Sequence, residues 1–462
     1  MQSLNAALAR FQRGLDRRTR PRYLQVISLL IITLQLCALV VIFATQQNNK
    51  TIFGPLLGAD FTSFYNAGTI FNEQGASQVY VSAVQDANYR RLFPAAPPNT
   101  HLPYANAPFL TLLFTLFARL PYPAAYFGWL LLSLSFYVTG FLLLWDSLDG
   151  LPRHRRPTAL LLALSFMPFL IEGWTGGQTS TLAFLCLALA IYLERRNLQL
   201  ASGAVLALCA FKPTLLLLIG PMLLLTRRWR TLVGFTGATA FLGGISWLTF
   251  GQVGLVNYVD MLLFFKRAAV GAQSGLKIWK YIDINAFFRM ILADYPAWQP
   301  VAAGAVMVVG GAALVWLWWR TSRGDADAQA GLWALTITGT LVLNMYNGFY
   351  EATLLVLSLL LFTHVLYRRA AASDHALNTG YKSLLLLLYL TPWVSQPLAK
   401  VTGVQIFTLM LLAVGIYQWR VASGGLRVTH NPPLAARPPT EQVPYLRRIL
   451  VSLTGLGRSP FV

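Results

Sequence analysis

Residues 23–44 read YLQVISLLIITLQLCALVVIFA and carry no charged side chain. A membrane-spanning helix needs about 20 mostly apolar residues, so this stretch is long enough to cross a bilayer. Further apolar runs follow as far as residue 420, and short basic clusters separate many of them. The pattern predicts an all-α, polytopic membrane protein with about twelve transmembrane helices.

The composition of the chain agrees with a membrane protein. Its 462 residues are 56% hydrophobic and only 11% charged, whereas soluble domains contain about 25% charged residues. Lys and Arg outnumber Asp and Glu by 36 to 16, which gives a net charge of +20. In a soluble protein this balance would indicate nucleic acid binding. Here the positive charges lie between apolar runs, as membrane topology requires, and we expect membrane lipids rather than nucleic acid around the protein.

The basic clusters predict how the chain is arranged across the membrane. Residues 1–22 contain several arginines and are expected on the cytoplasmic side. A transmembrane domain then covers 23–420, and 421–462 forms a basic cytoplasmic tail. The apolar stretch 107–120 is interpreted as interfacial or re-entrant, because the basic clusters that follow then remain cytoplasmic. After the first helix, spans are expected at 122–145, 158–171, 179–193, 199–211, 213–226, 231–250, 298–320, 331–343, 352–367, 382–394 and 401–420.

This topology leaves two long loops, 45–106 and 251–297, on the outer face of a bacterial cytoplasmic membrane. The first is too long for a simple connector and is typical of a functional loop. The outer ends of the spans and the outer loops collect half of the 16 acidic side chains, whereas the predicted cytoplasmic face is mainly basic. A functional site is therefore expected to face outward.

Asp60 is the acid that stands out in the first outer loop. It directly precedes Phe61–Phe71, whose aromatic residues recur at helical spacing and predict an interfacial helix. Two roles remain open for Asp60. It can cap this helix through its side chain, or it can accept a proton from a substrate hydroxyl as a general base.

Lys212 lies within an apolar stretch, between the predicted spans 199–211 and 213–226, which resemble a helical hairpin. Ionisable residues within membrane segments are usually functional, and an ammonium group is suited to bind a phosphate. The alternative is that Lys212 only extends to the outer interface. Lys280 and Arg267 of the second outer loop are further candidates for binding the phosphate of a lipid.

Two polar turns supply candidate substrate-binding residues. The segment EGWTGGQ (172–178) offers Glu172 and Gln178, with glycines that permit a close approach of the chain to a ligand. Gln178 can alternatively cap the helix that follows. The segment NMYNGFYE (344–351) offers Asn344, Tyr346 and Glu351, whose amide and aromatic groups are suited to sugar binding, although an aromatic interface belt would look the same. His101 and Tyr104 complete the predicted outer site.

Several other chemistries lack support in the sequence. The three cysteines lie in apolar runs without metal-ligand spacing. Motifs for zinc hydrolysis, nucleotide binding or serine-hydrolase chemistry do not occur. We therefore predict no metal site, no cofactor and no nucleotide hydrolysis, while metal dependence of the reaction itself stays open.

An ordered set of short motifs resembles glycosyltransferase family 87, a family of integral membrane enzymes that includes the mycobacterial phosphatidylinositol-mannoside mannosyltransferase. The resemblance covers most of residues 23–420. The motifs are Gly58-Ala-Asp60-Phe61, Tyr65-Asn-Ala-Gly68, Gln78-Val-Tyr80, Tyr104-Ala-Asn-Ala-Pro108, Gly177-Gln178, Phe211-Lys212-Pro213 and Arg227-Arg-Trp229.

The resemblance implies a GT-C fold and an inverting transfer from a polyprenyl-phosphate sugar to a hydroxyl of a glycolipid or glycan. Mannose is the sugar that it favours, with arabinofuranose as the alternative. It also implies that Asp60 is the general base. Two other functions are weighed against this one: a transporter or flippase for lipid-linked sugars, and a lipid-linked glycan ligase. Both would bind the same kind of lipid, but a flippase should carry ionisable groups deep within its spans.

Overall fold

The computed structural model describes residues 20–52, 55–96, 102–270, 277–322, 324–371 and 379–424. Within these ranges every regular element is a helix, and β pairing is limited to isolated bridges. The α-helices are α1 (Pro21–Thr45), α2 (Phe61–Gln74), α3 (Ser82–Leu92), α4 (Pro108–Phe117), α5 (Tyr122–Ser147), α6 (Arg156–Leu164), α7 (Ser180–Arg195), α8 (Gln199–Leu208), α9 (Ile219–Leu225), α10 (Trp229–Val270), α11 (Ile284–Ile291), α12 (Trp298–Thr321), α13 (Ala326–Val342), α14 (Leu355–Ala371), α15 (Thr379–Thr402) and α16 (Ile406–Ala422).

Many of these helices have the length and composition of membrane spans. Six described helices are long and apolar enough to cross a bilayer, or seven if the bent pair Arg153–Leu164 and Pro168–Thr175, which meet at 56°, forms one span. Shorter apolar helices occur at Pro108–Phe117, Gln199–Phe211, Pro213–Leu225 and Ile406–Ala422. The prediction of an all-α polytopic membrane protein is therefore confirmed, whereas the number twelve stays a prediction.

The short helix α4 lies where the sequence predicted an interfacial or re-entrant stretch. Its 10 residues measure about 15 Å, because an α-helix rises about 1.5 Å per residue, and the hydrocarbon core is about 30 Å thick. This helix is shorter than a full span and packs against α2. A Cβ atom on Gly68 of α2 would lie only 2.7 Å from the backbone carbon of Phe114 in α4.

Helix α2 follows Asp60, as predicted, but it differs from a typical interfacial helix. Residues 61 to 70 are all buried, so protein encloses the helix on every side and no apolar face is left for the membrane surface. The ring of Phe61 packs among aromatic side chains of neighbouring helices, including Phe114 at 6.2 Å and Trp129 at 6.1 Å between ring centroids.

Buried amide groups hold the first outer loop together. Asn88 Nδ2 donates to Asn66 Oδ1 at 2.9 Å, and Asn66 Nδ2 donates to the carbonyl of Gln85 at 3.0 Å. Gln85 Nε2 in turn donates to the carbonyls of Val79 at 2.8 Å and Tyr104 at 3.1 Å. Because buried polar groups are costly unless they are paired, this network fixes the loop as a folded unit.

The segment around Lys212 has the course of the predicted hairpin. Helix α8 ends at Leu208, two short 3₁₀ turns flank Lys212, and α9 follows. Arg228, just beyond α9, donates to Glu194, just before α8. Trp333 Nε1 also donates to Glu194, at 2.9 Å. The two ends of the hairpin therefore meet, and Lys212 lies at its opposite tip.

Helix α10 changes the interpretation of the second outer loop. The sequence predicted a span that ends at residue 250 and a loop from 251. The helix instead bends at Gly251, where φ is 62°, and continues to Val270. Beyond the bend it packs on the first outer loop, where Asn257 Nδ2 donates to the carbonyl of Ser77 at 3.0 Å. Both outer loops therefore lie at one end of the bundle.

The contact between α8 and α10 depends on glycine. A Cβ atom on Gly234 would lie 2.8 Å from the backbone carbon of Leu200, whereas Gly237 of the same helix has nothing within 4 Å of its Cβ position. We expect Gly234→Ala to lower the stability of the protein by roughly 1–3 kcal/mol, because the helices must separate to admit the methyl group. Thermal unfolding in detergent measures the change. Gly237→Ala is the matched control, and equal midpoints for the two variants would contradict this packing.

Candidate active site

Asp60 lies at the start of α2, but its side chain does not cap this helix. No capping hydrogen bond forms between its carboxylate and α2. The carboxylate instead accepts a hydrogen bond of 2.6 Å from Gln178 Nε2. The backbone N–H of Asp60 donates to the carbonyl of Gly176 at 3.2 Å. Of the two roles that the sequence left open, capping through the side chain is therefore not observed.

The turn that carries Gln178 approaches Asp60 closely because it contains glycine. Gly177 has a φ of +76°, and a Cβ atom there would lie 2.6 Å from Cβ of Phe61. Helix α5 holds the turn from the other side, since Tyr126 donates to the carbonyl of Thr175 at 2.6 Å and Trp129 to that of Gly177 at 3.0 Å. The glycine thus serves the approach of two protein segments, whereas the sequence predicted the approach of a ligand.

Glu172 lies in the same segment and forms an ion pair. The segment is a π-helix, Pro168–Thr175, rather than the predicted tight turn. Lys280 Nζ lies 3.5 Å from Glu172 Oε2, and Gln396 Nε2 donates to Glu172 Oε1 at 2.9 Å. The ammonium of Lys280 also acts electrostatically on Asp60, which brings this predicted phosphate ligand to the predicted base.

Lys212 forms a second ion pair, with Glu351. Lys212 Nζ donates to Glu351 Oε1 and lies 4.9 Å from the ring centroid of Tyr350. Glu351 is buried, with 1% of its surface exposed, and its Oε2 has no hydrogen-bond partner among the described residues. Lys212 therefore balances a buried carboxylate, and a phosphate that binds Lys212 must compete with Glu351.

A backbone contact brings the second outer loop to this site. Tyr281 forms a β bridge with Gly348, and Ile282 N–H donates to the carbonyl of Asn347 at 3.0 Å. The carboxylate of Asp283 accepts from the N–H of Asn347 at 2.8 Å, while it also caps α11. Burial raises the pKa of Asp283 to about 7. These contacts place Lys280 and Tyr281 beside the polar turn that precedes α14.

The remaining predicted site residues have different surroundings. Tyr104 is buried in the first outer loop, where its hydroxyl accepts from Thr111 at 3.0 Å. Asn344 is buried and donates to the carbonyls of Thr214 and Thr340. Both make contacts that support the fold rather than an open site.

Tyr346 is half-buried and packs edge-to-face on Tyr281, with 6.2 Å between ring centroids. His101 and the side chain of Arg267 lie outside the described residues.

Three residues at or next to the candidate site were not predicted from the sequence. Tyr281 and Tyr350 lie near Asp60 and interact with it electrostatically, and Asp283 fixes the loop that carries Tyr281. Asp283-Ile-Asn-Ala286 has the form of a helix cap, so a cap could have been predicted. The contacts of the two tyrosines join segments that are far apart in the chain, so no local sequence pattern predicts them.

The environment of Asp60 favours proton transfer. Burial raises the pKa of its carboxyl, while the hydrogen bond from Gln178 and the charge of Lys280 lower it and the charge of Glu172 raises it. A general base works best when its pKa approaches the working pH. Among the described residues, no cluster of three or more His, Cys, Asp or Glu side chains is suited to hold a metal.

The site thus combines a buried carboxyl with two lysine–glutamate ion pairs, in a helical bundle that has candidate membrane spans. The family model of glycosyltransferase family 87 matches residues 104–346, slightly more than half of the chain. The chain belongs to this family and is a glycosyltransferase. The match includes Glu172, Gln178 and Lys212, while Asp60 and Glu351 lie outside it. Comparison with curated proteins and with solved structures gave no match.

The position of Asp60 depends on the close contact between Gly177 and Phe61, and a substitution of Gly177 tests this contact. We expect Gly177→Ala to destabilise the protein by roughly 1–3 kcal/mol, because the added methyl group meets Phe61 and the backbone is held at positive φ. Gly75→Ala is the control, since Gly75 has a φ of +95° but open space at its Cβ position. Thermal unfolding should show a larger loss for Gly177→Ala. A larger loss for Gly75→Ala would show that backbone strain, and not the contact with Phe61, decides the effect.

Proposed function

We propose that this glycosyltransferase moves a sugar from a polyprenyl-phosphate donor to a hydroxyl of a glycolipid or glycan acceptor, with inversion at the anomeric carbon. Mannose is the preferred sugar, and arabinofuranose is the alternative. The reaction takes place at the outer face of the bacterial cytoplasmic membrane. The observation that carries this proposal is the pairing of Asp60 with Gln178 beside Lys280. It leaves one carboxylate next to a cation, bound by a neutral amide and not used as a helix cap.

The chemistry follows from the charges around Asp60. Asp60 accepts the proton of the acceptor hydroxyl as that oxygen attacks the anomeric carbon, and the bond between this carbon and the phosphate oxygen breaks. The phosphate leaves with an additional negative charge, which Lys212 and Lys280 stabilise. Both lysines already face a glutamate, so binding of the phosphate requires them to exchange partners or to share them.

The position of the site at one end of the bundle supports a lipid-linked donor. Asp60 precedes α2, Lys280 ends a 3₁₀ turn and Glu172 lies in the π-helix before α7, near the end of the bundle that holds both outer loops. Nucleotide sugars are not supplied outside the cytoplasmic membrane, so a site on that face needs a donor that the membrane itself delivers. Membership of a glycosyltransferase family favours an enzyme over a flippase.

Replacing the base tests the proposal directly. We expect Asp60→Asn to reduce turnover by about 10²–10⁴-fold, the usual contribution of general-base catalysis. The measurement is transfer from a radiolabelled polyprenyl-phosphate sugar by the purified protein. Asp86→Asn, in the same outer loop, is the control and should retain activity. Wild-type turnover in a normally folded Asp60→Asn variant would rule out Asp60 as the base.

The charges near Asp60 also predict how activity depends on pH. Asp60 must be ionised to act as a base, so kcat/KM falls as the pH drops through its raised pKa, above the ordinary value of 3.8. Lys280→Gln removes a charge that lowers this pKa and should move the acid limb to higher pH. Glu172→Gln removes a charge that raises it and should move the limb to lower pH. Shifts in the same direction would show that another group controls the limb.

A further inference from the structure

The ring of Tyr350 is held in one position at the site. Lys212 Nζ lies 4.9 Å from the ring centroid, and a Cβ atom on Gly348 would lie 2.7 Å from the ring carbon Cζ that bears the hydroxyl. Only glycine at position 348 leaves room for the ring. The neighbouring residue, Glu351, binds Lys212. The tyrosine is therefore positioned by a cation on its face and by a backbone that passes close to its hydroxyl end.

The hydroxyl of Tyr350 is not used by the fold. Two tyrosines of α5 close to the site have bonded hydroxyl groups: Tyr122 donates to the carbonyl of Leu57, and Tyr126 to that of Thr175. Among the described residues, no hydrogen bond to the hydroxyl of Tyr350 occurs, and the residue is partly exposed. Polar groups within a protein are normally paired. The hydroxyl of Tyr350, on the ring that Lys212 contacts, lacks such a partner and is therefore available to a ligand.

Its charged neighbours indicate which ligand group it meets. Tyr350 interacts electrostatically with the carboxylates of Glu351, Asp60 and Glu172, and the ammonium of Lys212 lies over its ring. A protonated phenol is a hydrogen-bond donor, and the group that must lie at Lys212 in the proposed reaction is the phosphate. The acceptor hydroxyl, by contrast, must give its proton to Asp60.

We propose that the Tyr350 hydroxyl is a catalytic hydrogen-bond donor to the phosphate that leaves the sugar, an inference that rests on the proposed function. When the bond between the anomeric carbon and the phosphate oxygen breaks, its electron pair stays on that oxygen and the charge of the phosphate rises from one to two negative. Tyr350 keeps its proton, and the acceptor proton goes to Asp60. The hydrogen bond strengthens as the charge grows, so it stabilises the transition state more than the bound donor.

The variant Tyr350→Phe tests this role with little risk to the fold, because the ring and its contact with Lys212 remain. We expect kcat to fall by about 10²-fold, similar to the loss of one donor from an oxyanion hole, with little change in the KM for the donor. We also expect inhibition by the product, polyprenyl phosphate, to weaken by about 10-fold or more, since a hydrogen bond to a dianion is lost. A purely structural role of the hydroxyl would not separate these constants.

Tyr192→Phe is the matched control. Tyr192 also carries a cation on its ring, Arg196 at 5.2 Å, but it lies near the end of α7 remote from Gln178. This variant should match the wild type in kcat and in product inhibition. Thermal unfolding checks that both variants are folded.

The outcomes separate the inference from the proposed function. Wild-type protein that fails to transfer sugar from polyprenyl-phosphate donors overturns the proposed function together with this inference. Wild-type transfer with an unchanged kcat and unchanged product inhibition in Tyr350→Phe overturns the inference alone. A rise confined to the KM for the acceptor also overturns it, because Tyr350 would then contact the acceptor.

Discussion

The hydrogen bond from Gln178 to Asp60 joins two segments that are 118 residues apart in the chain, and the arrangement of the site depends on it. The bond forms because Gly177 brings its turn against the start of α2, where a side chain would meet Phe61. It also decides what Asp60 does. A carboxylate that accepts from its own helix would serve as a cap, whereas the carboxylate of Asp60 is held in place by an amide from a separate segment.

The ion pairs around Asp60 follow from the cost of burying charge. A buried carboxylate without a cation is strongly destabilising, and Glu351 has Lys212 while Glu172 has Lys280. These pairs make the site nearly balanced in charge before any substrate binds. A single phosphate then enters a site in which both cations are already oriented but neither is in excess. In the proposed reaction, such an arrangement would stabilise the additional charge on the leaving phosphate without holding the product as strongly as two unpaired lysines would.

The long apolar helices could be predicted from the sequence because their signal is local. The first span was expected at 23–44 and is observed at Pro21–Thr45, and 298–320 is observed as Trp298–Thr321. The bent helix α10 was interpreted in part as a loop, since its segment after Gly251 is less apolar and follows a glycine.

The candidate site was predicted in part. Asp60, Gln178, Glu172, Lys212, Lys280 and Glu351 lie in one network, but their pairing was not foreseen, because Lys212 and Glu351 are 139 residues apart. Tyr281 and Tyr350 were missed for the same reason.

The two ends of the bundle differ in charge, and this difference bears on its orientation. Helix α7 begins next to Gln178 and ends at Arg195, while α14 begins just after Glu351 and ends beyond Arg368 and Arg369. Arg195 and Arg368 interact electrostatically, so the basic ends of both helices lie together, and the candidate site lies at their other ends. Because Lys and Arg are enriched on the cytoplasmic side of membrane proteins, we infer that the site faces outward. In the proposed reaction, this orientation restricts the site to sugar donors that the membrane delivers to its outer face.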